Sequence, residues 1–165
     1  MLLPMVRSVF LSLLCLAWVA CSTKPPPKIE ATEIQKIQPE YKPESSFKRI
    51  NEFLTGVEAH GKRTVVRTQA NSREGFYFTL RLDQKVKDLP SGTLLIAELY
   101  TPKQSEAQRF ELTLPSKRGN SSQLLFGLTG TDWPYQREHT PAAWKFTLLD
   151  PNGKILGSAQ SYLWK

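Results

Sequence analysis

Two histidines, His60 and His139, are the side chains in this sequence whose ordinary pKa suits proton transfer near neutral pH. They stand far apart in the chain. His60 sits beside Gly61 in a turn-like stretch, and His139 lies in the long segment before Trp144. A hydrolytic triad needs an acid that holds a base and a base that holds a nucleophile. Asp132, His139 and a nearby serine supply the residue types but match no known motif spacing. No nucleophile elbow, Gly-rich phosphate loop, HExxH or EF-hand pattern occurs. The carboxylates are few and dispersed, so neither a glycosidase pair nor a calcium cage is expected. The expectation is therefore no catalytic residue, no metal ligand, no cofactor and no enzyme activity.

Recognition chemistry is what remains. "GLTGTDWPYQREHTPAAW", residues 127–144, is a long connection in which Trp133 and Tyr135 flank Pro134, with Arg137, Glu138 and His139 following. Loops of this length often carry function. Aromatic rings offer large contact area at low entropic cost, and Arg adds hydrogen bonds. On a glycan the two rings would stack on sugar faces, so Trp133, Tyr135, Arg137 and His139 form a candidate binding set. The competing reading folds Trp133 back over the end of the core as a lid.

The elements that would hold this loop repeat with a period of two. In "GFYFTLRLD" (75–83) Phe76, Phe78, Leu80 and Leu82 share one face, with Tyr77, Thr79 and Arg81 on the other. "QRFELTLP" (108–115) and "AWKFTLLD" (143–150) alternate likewise, so each strand sets one face on a core and one in water. "TLLIAELY" (93–100) and "QLLFGL" (123–128) are apolar on both faces and read as central strands. "KRTVVRTQ" supplies an earlier strand, and "KILGSAQSYLW" a last one with a break expected at Gly157. Tyr100, Tyr162 and Trp164 read as packing or edge residues on strands. "LPSG" and "DPNG" (150–153) are turns, and the second should pair an Asp150 cap with a positive φ at Gly153 in a bulged hairpin. One helix competes with a strand in "SSFKRINEFLTGV", where Phe47, Ile50, Phe53, Leu54 and Val57 share a helical face behind a serine cap. About seven strands without crossover helices predict an all-β fold: an antiparallel two-sheet sandwich with one short N-terminal helix.

Two stretches carry resemblances. The closing hairpin, "AWKFTLLDPNGKILGSAQSYLW", resembles the last two strands of secreted bacterial immunoglobulin-like modules, which implies a sandwich of that kind and no particular activity. At the other end, Arg7 precedes an almost wholly apolar run from Ser8 to Ala20, which is too short to span a bilayer. The order of one basic residue, an apolar run, small Ala20 and then Cys21 resembles the bacterial lipoprotein signal, although Trp18 stands where that family has an aliphatic residue. The resemblance implies cleavage before Cys21 and its acylation, and hence a cell-envelope location. Ser22 in place of Asp favours the outer membrane over the inner one. An ordinary secretory signal or an uncleaved anchor are the other readings. Cys15 would leave with the signal, and the mature chain would hold no free thiol.

Residues 21–46 read as the lipidated cysteine and a disordered tether, because Ser22 to Ser46 holds five prolines, no glycine and alternating charges. Its reach would be about 70 Å when extended. The domain is then expected over residues 47–165. The chain has a net charge of +7; Arg7 carries one of these, residues 22–45 cancel, and the remaining +6 lies beyond residue 46, where basic residues occur in scattered pairs: Lys48-Arg49, Lys62-Arg63, Lys85 with Lys87, and Lys117-Arg118. Such a surface suits anionic head groups, acidic glycans or an acidic protein, while nucleic acid is not expected. These observations converge on a non-catalytic, membrane-anchored envelope module with a protein-interaction or assembly role. A carbohydrate- or peptidoglycan-binding module is the alternative, and a hydrolase built on His139 a distant third.

Overall fold

A computed structural model describes residues 29–102, 104–134 and 137–165; Cys21 and Tyr135 lie outside that set. The fold is a β-sandwich of two four-stranded sheets. One sheet has the order β1-β3-β6-β2, formed by β1 (Ile34–Lys42), β3 (Gly75–Leu82), β6 (Gln123–Thr129) and β2 (Thr64–Arg67). The other has the order β5-β4-β7-β8, formed by β5 (Gln108–Thr113), β4 (Leu94–Tyr100), β7 (Ala143–Leu149) and β8 (Ile155–Gln160). All neighbours are antiparallel except the edge strand β2, which runs parallel to β6. The expectation of a wholly antiparallel sandwich is corrected at that one pair.

The core forms where alternation predicted it. Phe76, Phe78, Leu80 and Leu82 of β3 meet Leu124, Phe126 and Leu128 of β6, and across the gap Leu95, Leu99, Phe146 and Leu148. Aromatic rings knit the layers, with Phe78 and Phe146 centroids 5.0 Å apart and Phe126 and Phe146 at 5.5 Å. Each such pair adds about 0.5–1.5 kcal/mol to the area it buries. The β7–β8 turn is also as expected. Asp150 Oδ1 accepts the amide hydrogens of Asn152 (2.8 Å) and Lys154 (2.9 Å), Gly153 has φ +82°, and a register shift follows at Leu148/Leu149.

Four further expectations are corrected. First, residues 34–42, read as tether, are strand β1, so the ordered domain begins well before residue 47. The prolines misled because Pro39, which has no N–H to donate, sits on an edge strand, where proline is tolerated. Ile34, Ile37 and Tyr41 pack against the core and hold β1 there. Second, β8 runs unbroken through Gly157, and the Thr32 amide donates to the Leu156 carbonyl (2.7 Å), tying the domain's start to the second sheet. Third, Tyr162 lies past the end of β8 and is 98 % exposed, whereas Tyr100 and Trp164 do pack together, centroids 5.3 Å apart.

The fourth correction concerns the helix. A 3-10 turn covers Glu44–Phe47 and α1 runs only from Ile50 to Thr55, with Arg49 rather than a serine at its N-terminal boundary. Gly56, in the left-handed conformation (φ +67°), ends it as expected. The apolar face of α1 does not meet the core. Ile50, Phe53 and Leu54 are 83, 85 and 80 % exposed, and Val57 just beyond the helix is 68 % exposed. Only Phe47 of the expected stripe is buried, and it packs on the other side of the first sheet from the main core, with Tyr77, Leu125 and Val65. No helix among the described residues is long and apolar enough to cross a membrane.

Candidate functional site

The segment 44–63 crosses the outer face of the first sheet as a strap, leaving β1 at one end of the sandwich and entering β2 at the other. Phe47 pins its beginning, with its ring 4.8 Å from that of Tyr77. Tyr77 belongs to the face of β3 that alternation assigns to water, yet it has no exposed surface, because the strap covers it. Gly127, its register partner on β6, makes room for the ring. A β-carbon at Gly127 would stand 2.4 Å from Tyr77 Cε1, closer than side chains can approach.

Beyond Phe47 the strap is held by charge. Arg67, almost fully buried on β2, grips the Glu58 carboxylate with both terminal nitrogens (2.9 and 2.6 Å). Its Nε donates to the Tyr77 hydroxyl (2.7 Å), which donates to the Arg73 carbonyl (2.6 Å). The Arg67 guanidinium also lies over the Phe47 ring, 4.7 Å from its centroid. Arg73 in turn pairs with Glu52 on the inward side of α1, and His60 Nδ1 stands 3.3 Å from Glu58. Two carboxylates of the strap thus meet two arginines, Arg67 at the end of β2 and Arg73 in the loop before β3, and the Arg67–Glu58 pair has the bidentate geometry that makes such pairs strong.

These groups are poised for holding rather than for chemistry. Burial alone would raise the Glu58 carboxyl, but the hydrogen bonds and charge of Arg67, helped by His60 and Arg73, outweigh it and keep the group below its ordinary value. Such a carboxylate is a weak base. Burial pushes the Tyr77 hydroxyl up, only partly offset by Arg67. Burial likewise lowers His60, against the pull of Glu58 and with the repulsion of Arg67, Arg73 and Arg63. The physical consequence is a helix whose one half-buried side chain, Glu52, faces Arg73 while Ile50, Phe53 and Leu54 stand in water.

The expected binding loop 127–144 is arranged differently. Trp133 closes a 3-10 turn (Gly130–Asp132) with only 4 % of its surface exposed, and its ring lies 5.0 Å from that of Phe76 in the main core. The lid geometry is therefore what the loop adopts at Trp133, and a ring offered there for stacking on sugars is corrected. The cause is the apolar end of β3, which Trp133 covers. Arg137 is exposed and His139 half-buried, while Tyr135 lies outside the described residues. Beside Trp133 a shallow hollow is lined by Tyr41, Ser72, Glu74 and Gly130. In it the Tyr41 hydroxyl donates to Glu74, which pushes the tyrosine up to about 12. Among the described residues no cluster of three His, Cys, Asp or Glu side chains could hold a metal ion.

The strap was missed as a site because helical periodicity reports that apolar residues share a face, not where that face points. The available signal was on the sheet: Arg67 and Tyr77 occupy the face of β2 and β3 that a helix would have to cover, and an apolar stripe has no reason to settle on an arginine. No protein-family model, curated protein or solved structure matches this chain.

Proposed function

We propose that this chain is a lipid-anchored protein of the bacterial cell envelope, acylated at Cys21, and that its sandwich is a non-catalytic interaction module of immunoglobulin-like kind. Its contact surface is the strap, not the 127–144 loop. One observation carries this reading: Ile50, Phe53, Leu54 and Val57 stand in water on an element whose polar side is tied down. A buried orientation of the same residues would contribute about 1.5–3 kcal/mol for each side chain. A contiguous apolar patch on an otherwise charged surface marks a place where something else binds. The fold assignment is supported by the β7–β8 hairpin, with Trp144 half-buried at its start and a bulged turn between the strands.

The domain boundary alters the geometry of anchoring. Ten residues, Ser22 to Ala31, separate Cys21 from Thr32, the first residue whose amide is bonded to the sandwich, and they reach about 35 Å at full extension. The module is held near its membrane rather than lifted far above it, and that confinement lets a weak contact suffice.

Cell fractionation combined with site-specific photo-crosslinking tests both halves. The native chain should sediment with envelope membranes, and Cys21→Ser should not be processed to the membrane-bound mature form. A photo-reactive residue at position 54 should give adducts that one at position 152, in the exposed β7–β8 turn, does not. Unchanged processing of Cys21→Ser would refute the anchor. Adducts from 152 and none from 54 would refute the contact surface.

A further inference from the structure

We infer that the strap docks on an anionic lipid leaflet, with Ile50, Phe53, Leu54 and Val57 entering the head-group boundary and Arg49, Lys62 and Arg63 engaging lipid phosphates. The inference deepens the proposed function and rests on its assignment of the strap as the contact surface.

Charge selects the occupant. The carboxylates of the strap are already engaged, Glu44 by Lys48, Glu52 by Arg73 and Glu58 by Arg67. Arg49, Lys62 and Arg63 form no ion pair among the described residues. They also lie together. The Arg49 guanidinium reaches to 4.0 Å from the place a β-carbon would occupy on Gly61, next to Lys62, and Arg49 and Arg63 border the same hollow. The surface that meets the partner is therefore apolar at its crest and positive at its rim. That combination suits a bilayer interface carrying anionic lipid, where each basic residue near the surface contributes about 1 kcal/mol and buried apolar area adds to it.

Shape argues the same way. Three of the four apolar side chains stand on a single short helix that buries none of its own residues, beside a hollow lined by Lys48, Glu52, Phe53 and Gly56. A second copy set on this surface about a twofold axis would bring two arginine- and lysine-rich segments together. A deformable lipid boundary receives such side chains without needing a matching surface. The short link from Cys21 also leaves the domain beside the leaflet, with the outer face of the first sheet free to lie on it.

Hydrogen exchange on the full chain tests this, because it reads the strap separately from the anchor. Intact mass first establishes whether Cys21 carries acyl groups. The protein is then bound to vesicles of phosphatidylcholine alone or with about one-third phosphatidylglycerol. Amides of residues 50–57 should exchange about fivefold more slowly on the anionic vesicles than on the neutral ones, and salt at about 0.5 M should remove most of that difference. Phe53→Ser with Leu54→Ser, both at exposed positions, should abolish the protection, and Arg49→Glu with Lys62→Glu should remove its lipid dependence. Equal exchange on both vesicles, or protection that depends on protein concentration and not on lipid, would overturn the inference; the latter would point to a second copy. A chain without acyl groups would refute the anchor alone, and the exchange at 50–57 would still decide the surface.

Discussion

The strap and the 127–144 loop are both aromatic-bearing segments laid over the sandwich, and their side chains go opposite ways. Trp133, in a loop full of polar residues, turns inward onto Phe76. Phe53 and Leu54, in a helix with a well-formed apolar stripe, turn outward. The segments themselves do not explain this, because the stripe is the more hydrophobic of the two. The receiving surfaces do. The loop lies over the open end of the main core, which offers apolar rings. The strap runs past Arg67 and the Tyr77 hydroxyl on the sheet and Arg73 in the loop before β3, and these select Glu58 and Glu52 instead. A buried guanidinium needs its partners more than a phenyl ring needs burial, since an orphaned buried charge costs several kcal/mol and an exposed phenyl about 2–3.

The largest predicted contrast sits within the loop. Trp133→Ala should lower unfolding free energy by about 3–5 kcal/mol in denaturant titrations, whereas Arg137→Ala, exposed nearby, should stay within about 0.5 kcal/mol. Equal effects would mean that the loop is not a lid. Next comes the polar seat of the strap. Arg67→Met should cost about 2–4 kcal/mol, because it removes the bidentate partner of Glu58, leaving only the longer contacts to His60 and Arg73, and the donor to the Tyr77 hydroxyl. Restoring apolarity at both ends, with Glu58→Leu added, should recover part of that loss. Gly127→Ala should cost about 1–3 kcal/mol by displacing the Tyr77 ring, and far less when Tyr77→Leu is made first.

How much of this was legible in the sequence depends on which neighbour decided each residue. Strand faces were legible, because period two and the main core agree at Phe76, Phe78, Phe146 and Leu148. The β7–β8 turn was legible because Asp150 and Gly153 act locally. Strand β1 was not, since five prolines and balanced charges describe a tether as well as an edge strand, and only Ile34, Ile37 and Tyr41 distinguish them. The burial of Tyr77 was hidden for a different reason. It depends on Phe47 packing across the outer face of the sheet, a contact between segments that no local period records.

The smallest predicted effect is a pH dependence confined to the strap. Glu58 is held below its ordinary value of 4.5, so the stability it contributes is present above that pH and is lost as pH falls through the lowered folded value. His60 is also lowered, from 6.5, so its neutral form is favoured in the fold, and stability begins to decline as pH drops below 6.5. Both shifts have the same sign. Amide protection at residues 50–63, taken relative to the intrinsic exchange rate at each pH, should therefore fall on acidification while that of β3 and β6 holds. His60→Asn should remove the upper part of the dependence, and a uniform loss of protection across strap and core would contradict this separation.

The most direct test of the inverted strap compares two of its phenylalanines. Phe47→Ser and Phe53→Ser change the same side chain six residues apart, one under the strap and one on top of it. Equilibrium urea unfolding should show a loss of about 3 kcal/mol or more for Phe47→Ser and a change within about 0.5 kcal/mol for Phe53→Ser. Similar losses for both would mean that the apolar face of α1 is packed against the domain, and the account of a polar seat beneath an outward apolar crest would be wrong.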